Sequence, residues 1–169
     1  TYYRAESYTL LKKYDQALAD YESLVNMGSS EFYVTSLKKA ALISYNYTQS
    51  FEKAYSFYDP YYLKLSDEDE KYKAALGALR SAFRISQSDA IIKYAAIVAI
   101  HPKANEDEQA TAMYYAGKTH YKKNDLNAAK DNFDRAGKKV NNNQAAESRY
   151  LVAEILYKQG DKSGAEAQC

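Results

Sequence analysis

Two histidines, one cysteine and one acidic run are the side chains here that could do acid–base, nucleophilic or metal chemistry. Neither His101 nor His120 is followed by His, Cys or an acid three or four positions later, a spacing at which helical side chains share a metal ion. The acids of residues 67–70 lack the spacing of a calcium loop and are better explained as the first turn of a helix, where negative charge is favourable. Cys169 is the single cysteine, so it can form no disulfide within the chain. With no Gly-rich phosphate loop or nucleophile elbow either, we expect no enzyme activity, no metal and no cofactor.

Composition and charge exclude further classes of protein. The chain has 169 residues, of which 46% are hydrophobic and 27% charged, with a net charge of +1. Residues 1–85 carry 11 basic and 11 acidic side chains, and residues 86–169 carry 12 and 11, so neither half offers the basic face of a nucleic-acid-binding protein. No apolar run reaches the roughly 18 to 20 residues that span a bilayer. Because the chain begins without Met and ends within a helical pattern, we expect it to be part of a longer protein.

Alanines recur at a nearly constant interval along the chain. From Ala17, through Ala54, Ala90 and Ala129, to Ala165 the steps are 37, 36, 39 and 36 residues. In the segments 14–21, 51–58 and 126–133 an aromatic or aliphatic residue stands three before this alanine and an aromatic residue four after it. A period in the range of about 20 to 50 residues predicts stacked supersecondary units, as in a solenoid.

A second small residue stands twelve positions before four of these alanines, namely Ala5, Ala78, Gly117 and Ala153. The second repeat departs from the pattern, because it has Leu42 at that position and the small Ala41 one residue earlier. Small residues let two helices approach closely, while an aromatic residue one turn further on fills the groove towards the next pair. His120 occupies such an aromatic position, and Cys169 would occupy the corresponding one of a second helix, so both are predicted to pack.

These segments resemble the tetratricopeptide repeat family, whose repeat joins a Trp-x2-Leu-Gly-x2-Tyr helix to an Ala-x3-Phe helix and a closing Pro. Pro102 falls at the closing position, although the chain has no Trp. The resemblance implies an all-α fold, a right-handed superhelical α-solenoid of stacked antiparallel helix pairs. The repeats would cover approximately residues 1–30, 31–65, 66–102, 103–142 and 143–169 of a single domain.

Three local signals predict where helices begin and end. Asn105 with Glu108, and Ser66 with Asp69, have the spacing of an N-terminal capping box. Pro60 lies inside the expected second helix of its repeat, so this helix is predicted to end or kink at about Asp59. The longest step between repeats is expected to be absorbed by a loop around residues 101–105.

The chain is rich in tyrosine, with 19 Tyr against 5 Phe. In the repeat family the first helix of each pair lines the concave surface, which helical periodicity places away from the core stripe. The residues predicted on this face are Tyr2, Glu6, Lys39, Ile43, Asn46, Tyr47, Tyr72, Leu79, Tyr114, Lys118, Tyr121, Tyr150, Glu154 and Tyr157. Tyrosine suits recognition because its ring offers contact area at low entropic cost. The same rings could instead pack between adjacent first helices.

The sequence therefore predicts a non-enzymatic scaffold that binds a peptide or helix of a partner protein in a Tyr-rich groove. The alternative is glycan or peptidoglycan binding through stacked tyrosines. The carboxylate clamp of chaperone-binding family members is not matched, since Lys39 is followed by Ile43 where the clamp has Asn. The stretch 144–161 is similar to repeats of bacterial envelope proteins, which favours the periplasm or outer membrane over the cytoplasm. End-to-end self-association is a further expectation, because the first and last repeats are incomplete.

Overall fold

The computed structural model describes residues 1–168, and these residues form α-helices joined by short loops, with no strand among them. The prediction for Cys169 lies outside the described residues. The helices are α1 (Tyr2–Leu10), α2 (Tyr14–Met27), α3 (Tyr33–Asn46), α4 (Phe51–Lys64), α5 (Glu68–Arg84), α6 (Ser88–Val98), α7 (Glu106–Lys122), α8 (Leu126–Lys139), α9 (Asn143–Lys158) and α10 (Lys162–Glu166).

The helices pack in chain order within two compact units. The first unit comprises residues 1–86 and the second begins at Gln87. In the first unit α1 packs on α2, α2 on α3, α3 on α4 and α4 on α5, and in the second unit α6 to α10 follow the same order. The expected all-α fold is confirmed, and within each unit consecutive helices stack in chain order, as in an α-solenoid of helix pairs.

Five of the three- and four-residue turns between consecutive helices contain a residue with a positive φ, namely Lys12 (57°), Gln49 (51°), Ser86 (57°), Asn124 (59°) and Gly160 (86°). In three of the turns the next amide bonds back to a carbonyl five residues earlier, as from Asp125 to His120 at 2.9 Å. This is the Schellman motif at the end of a helix. Glycine is favoured at its left-handed position because it has no Cβ to crowd the backbone.

The repeat alanines form the inner seam of the helix pairs. Ala17, Ala54, Ala90, Ala129 and Ala165 are all buried, as the period predicted. In the second repeat the small residue of the first helix is Ala41, which is fully buried, whereas Leu42 is 38% exposed. Ala41 lies one position further from Ala54 than the twelve-residue spacing of the other repeats. The turn takes up this additional residue, since four residues separate α3 from α4 and three separate α1 from α2.

Two glycines leave space for an aromatic ring of an adjacent helix. A Cβ added to Gly117 on α7 would lie 2.7 Å from the ring of Phe133 on α8. A Cβ added to Gly77 on α5 would clash with the ring of Tyr58 on α4. Because Phe133 is fully buried, its ring has no free space into which to move. The close approach of these helices therefore depends on the absence of a side chain.

Two predicted helix boundaries, the end at Asp59 and the cap at Ser66, are wrong, while the alternative of a kink at Asp59 stays a prediction. Helix α4 does not end at Asp59 but continues through Pro60 to Lys64. Its last turn is held by Tyr61, whose buried phenol donates to Glu70 across 2.9 Å, so one missing backbone hydrogen bond does not terminate the helix. Helix α5 is capped by Asp67 rather than by Ser66, because the Asp67 carboxylate accepts from the Glu70 amide at 2.9 Å.

Two other predictions about boundaries are confirmed. Asn105 and Glu108 form a reciprocal capping box at the start of α7, with side chain to backbone distances of 2.9 and 3.1 Å. The longest step is absorbed between α6 and α7, where seven residues (99–105) connect the helices. Both features follow from local sequence and need no tertiary contact to be recognised.

Candidate functional site

Tyr114 anchors one side of the contact between α7 and α9. Its phenol donates to the Glu147 carboxylate at 2.7 Å, and the ammonium of Lys118, one turn further along α7, reaches the other Glu147 oxygen at 2.8 Å. Tyr114 is only 9% exposed, with its ring centroid 6.3 Å from that of Phe133. This ring therefore fills the space between neighbouring first helices while its hydroxyl holds an acid at the surface.

Tyr121 repeats this arrangement two turns later. Its phenol donates to Glu154 on α9 at 2.7 Å, and Lys158 donates to the same carboxylate at 2.6 Å and also to the Tyr121 oxygen. The Lys158 ammonium also lies 4.9 Å from the centre of the Tyr121 ring. Half-buried Tyr121 is thus part of a three-residue network that ties α7 to α9.

Three hydrogen-bonded pairs between α7 and α9 share one sequence offset. Thr111 bonds Gln144, Tyr114 bonds Glu147 and Tyr121 bonds Glu154, each 33 residues later. A constant offset means that α7 and α9 run parallel, since in an antiparallel pair the second number would fall as the first rises. In the first unit, Lys39 on α3 bonds Glu6 on α1 at 3.2 Å, again 33 residues apart. One pair in the first unit thus has the same offset as the three pairs in the second unit, whereas Lys38 on α3 and Glu70 on α5 are 32 residues apart.

The network lowers the pKa values of its two carboxylates and raises the pKa of the Tyr114 phenol. Lys118, with Tyr114, lowers the pKa of Glu147, and Lys158, with Tyr121, lowers the pKa of Glu154. Burial raises the pKa of the Tyr114 phenol, and its hydrogen bond to Glu147 acts in the same direction. The carboxylates are thus held charged and the Tyr114 hydroxyl is held protonated as a donor.

Tyr150 and Tyr157 stand on α9 where Tyr114 and Tyr121 stand on α7, 36 residues earlier. Their surroundings differ, because Tyr150 is 67% exposed and Tyr157 is 63% exposed. Glu154, also a predicted site residue, lies on the same helix between them. The second unit thus presents a stripe of two exposed phenols flanking a carboxylate, which we call the α9 stripe: Tyr150, Glu154 and Tyr157.

The predicted face is less uniform in the first unit. Tyr2 stacks on Phe32 with ring centroids 4.2 Å apart, and Tyr47 stacks on Tyr14 at 3.8 Å. Tyr72 is buried, whereas Asn46 is exposed. Tyr2, Tyr47 and Tyr72 thus make local contacts, although Tyr47 is 56% exposed, and the structure does not bring them into one continuous stripe.

Two aliphatic residues assigned to the exposed face are in the core. Ile43 and Leu79 are both buried, so their placement on the displayed face is wrong. For Ile43 the cause is the register of the second repeat: with Ala41 rather than Leu42 as the small residue, the face turns by one position along α3.

Glu147 and Lys158 belong to the site but were not among the predicted residues. A signal for Glu147 was present in the sequence, since Glu147 and Glu154 are seven apart, like Tyr114 and Tyr121 on the preceding first helix. Partners in two equally spaced rows on parallel helices can be assigned from the sequence only if the offset between the helices is known. The packing of α9 on α7 supplies that offset.

The residues with possible chemistry remain isolated from one another. Across residues 1–168 no group of three or more His, Cys, Asp or Glu side chains is placed to hold a metal ion. The Nδ1 atom of His120 lies 3.3 Å from Asp125, in the turn that follows α7. His101 accepts a hydrogen bond from the backbone of Lys103 at 3.2 Å. Both histidines are therefore engaged in loop contacts.

Comparisons add no family assignment to this geometry. No protein-family model matches the chain, and no curated protein matches it either. Among the described helices, none combines the length and the apolar character needed to traverse a bilayer.

Proposed function

We propose that this chain is a non-enzymatic scaffold of the tetratricopeptide type, which binds a segment of a partner protein through the first-helix face of its second unit. The observation that carries the proposal is the pair of tyrosines, Tyr150 and Tyr157, that lie two turns apart on one face of α9 and are both exposed within the described residues. Large exposed aromatic side chains that recur on one helix face are characteristic of interaction surfaces.

The α9 stripe is supported by rigid surroundings. Leu151, Val152 and Ile155 bury the opposite side of α9, and the Glu154 carboxylate is fixed by Tyr121 and Lys158. A surface held in one conformation loses little entropy on binding. The two phenols are two helical turns apart, about 10 Å along the axis, which is the spacing of side chains that anchor a partner helix or an extended segment.

Photo-crosslinking tests this function. We would place a benzophenone amino acid at Tyr150 or Tyr157 and, as a matched control, at Tyr3, which is exposed on α1 in the first unit. The expected result is one protein cross-linked from α9 and not from α1 in an extract of the source cells, including their envelope fraction. The captured protein would then be purified and titrated against the wild-type chain and Tyr150→Ser/Tyr157→Ser.

The double Ser variant should keep the thermal midpoint of the wild type and lose most of the affinity, because both rings are exposed in the free chain. A partner that binds the variant as tightly as the wild type would contradict the proposal. Glycan binding is tested by a glycan array with the same two proteins, and retention of a glycan only by the wild type would replace a protein partner with a sugar.

A further inference from the structure

We infer that the groove between α6 and α8 is a binding site for a small aliphatic carboxylate, whose chain lies along α6 and whose carboxylate meets Arg135 of α8. The groove has a volume of about 270 Å³ and lies within the second unit. Its described lining comes from α6 with the two residues after it, from α7 and from α8, and includes nothing of α9. The inference therefore goes beyond the proposed function.

One wall of the groove is apolar along its whole length. It consists of the residues two, five, six, nine and ten positions after the repeat alanine Ala90, namely Ile92, Ala95, Ala96, Ala99 and Ile100. From Ile92 to Ala99 the wall runs roughly 10 Å along the helix axis. Because none of these side chains can form a hydrogen bond, the wall suits a hydrocarbon chain better than a peptide, whose amides would be left without partners.

The other second helices carry polar or charged residues at the same repeat positions. These include Glu22, Ser23 and Asn26 on α2, Ser56, Asp59 and Lys64 on α4, and Asp131, Asp134, Arg135, Lys138 and Lys139 on α8. A cavity of similar volume, about 260 Å³, recurs one repeat later, where Asp131 and Asp134 take the places of Ile92 and Ala95. The stacking of helix pairs therefore produces such a groove whatever lines it. The apolar wall is particular to α6, which argues for an apolar occupant.

The rest of the lining supplies hydrogen-bond donors. A guanidinium nitrogen of Arg135 lies 3.6 Å from a carboxylate oxygen of Asp131, which is too long for a hydrogen bond, and Asp131 is 68% exposed, so solvent weakens this attraction. Among the described residues Arg135 donates no hydrogen bond, and its fork of N–H groups fits a carboxylate. Asn132, three residues earlier on α8, uses one amide hydrogen on a backbone carbonyl of its own helix and keeps the second. His120 turns Nδ1 towards Asp125, which leaves Nε2 for the ligand.

NMR titration of the whole chain with labelled isoleucine methyl groups tests the inference. The probe is octanoate, used below its micelle concentration, and the matched ligands are octylammonium and octanol, which have the same chain with a positive charge or none. We expect octanoate to shift the methyl signals of Ile92 and Ile100 and to bind at least about tenfold more tightly than either matched ligand. From butanoate to octanoate the affinity should rise about two- to fourfold with each methylene. Equal affinity for octanoate and octylammonium would overturn the inference.

Variants of the groove locate the two parts of the ligand. Arg135→Gln should weaken octanoate about tenfold and leave octanol unchanged. Lys138→Gln is the matched control, because it removes the same charge from an exposed residue of α8 that does not line the groove. Ala96→Gln, at an exposed position, should fill part of the groove and weaken both ligands. Octanoate binding that Arg135→Gln and Ala96→Gln leave unchanged would show adsorption elsewhere on the surface and overturn the inference.

Two further titrations separate this ligand from other occupants. A peptide with an apolar C-terminal residue also joins a carboxylate to an apolar group, so acetyl-Leu-Leu with a free carboxylate is titrated in the same way. Tighter binding of this peptide than of octanoate would assign the groove to a protein C-terminus and overturn the inference. The variant Tyr150→Ser/Tyr157→Ser should bind octanoate as the wild type does. A loss of affinity in that variant would place the ligand on the α9 stripe and would also overturn the inference.

Discussion

The phenol of Tyr114 reaches from α7 to the Glu147 carboxylate of α9 across 2.7 Å, although its ring is buried between the helices. The equivalent ring on α9, Tyr150, is exposed. Within the described residues the Tyr114 hydroxyl thus holds a neighbouring helix, whereas the Tyr150 side chain is uncovered. Substitution of each hydroxyl separates these two roles.

Tyr114→Phe should lower the free energy of unfolding by about 1 to 2 kcal/mol, because a hydrogen bond from a buried phenol to a carboxylate is lost. Tyr150→Phe is the matched control and should change it by no more than about 0.5 kcal/mol, as expected for an exposed position. Urea denaturation followed by circular dichroism measures both. Equal losses in the two variants would mean that the Glu147 bond adds nothing to the stability of the packed array.

Gly117→Ala should destabilise the second unit by about 1 to 3 kcal/mol, because the added methyl would lie 2.7 Å from the buried ring of Phe133. A smaller residue on α8 should relieve this clash. In the background of Phe133→Leu the cost of Gly117→Ala is therefore expected to fall well below its cost in the wild type. Additive losses in the double variant would show that the methyl and the ring do not compete for the same space.

Lys12→Gly and Gln49→Gly should each stabilise the chain by roughly 0.5 to 1 kcal/mol, because both residues hold a positive φ that crowds their Cβ. Gly160→Ala, at the same place in the last turn, should have the opposite sign. Lys13→Gly is the control, since its φ is −88° and glycine there gains nothing. Thermal melts that show the same sign for Lys12→Gly and Lys13→Gly would contradict the role of the left-handed turn.

Glu70 should make the stability of the first unit sensitive to acid. Lys38, Lys73 and Tyr61 bond its carboxylate and lower its pKa from 4.5 to about 2. A pKa that is lower in the folded chain contributes stability above the unfolded value, and this contribution is lost as the pH falls from 4.5 towards 2.

The stability advantage of the wild type over Glu70→Gln should therefore be constant near neutral pH and shrink between about pH 4.5 and 2. The same comparison in a Lys38→Gln background should shrink less, because the largest cause of the shift has been removed. Urea titrations at several pH values measure the differences. A difference that stays constant from pH 7 to 2 would rule out the coupling.

Local sequence was sufficient for features that depend on residues close together in the chain. The capping box of Asn105 and Glu108 and the extended loop at residues 99–105 could both be predicted, because the groups that form them are neighbours in sequence. At Pro60 the local sequence was not sufficient to predict the helix end. Its effect on α4 is decided by the contact of Tyr61 with Glu70 on the next helix, which stabilises a final turn that propensity alone would end.

What the sequence determined by itself is the repeating all-α architecture: a small residue every 36 to 39 positions has a packing role that does not depend on which helix comes next. What only the tertiary structure decided is the role of each tyrosine. Tyr114 and Tyr150 occupy the same repeat position, yet one is 9% and the other 67% exposed. Burial depends on whether a neighbouring helix covers the ring. Periodicity predicts the helix face on which a ring lies, whereas the tertiary structure shows whether a neighbouring helix covers that face.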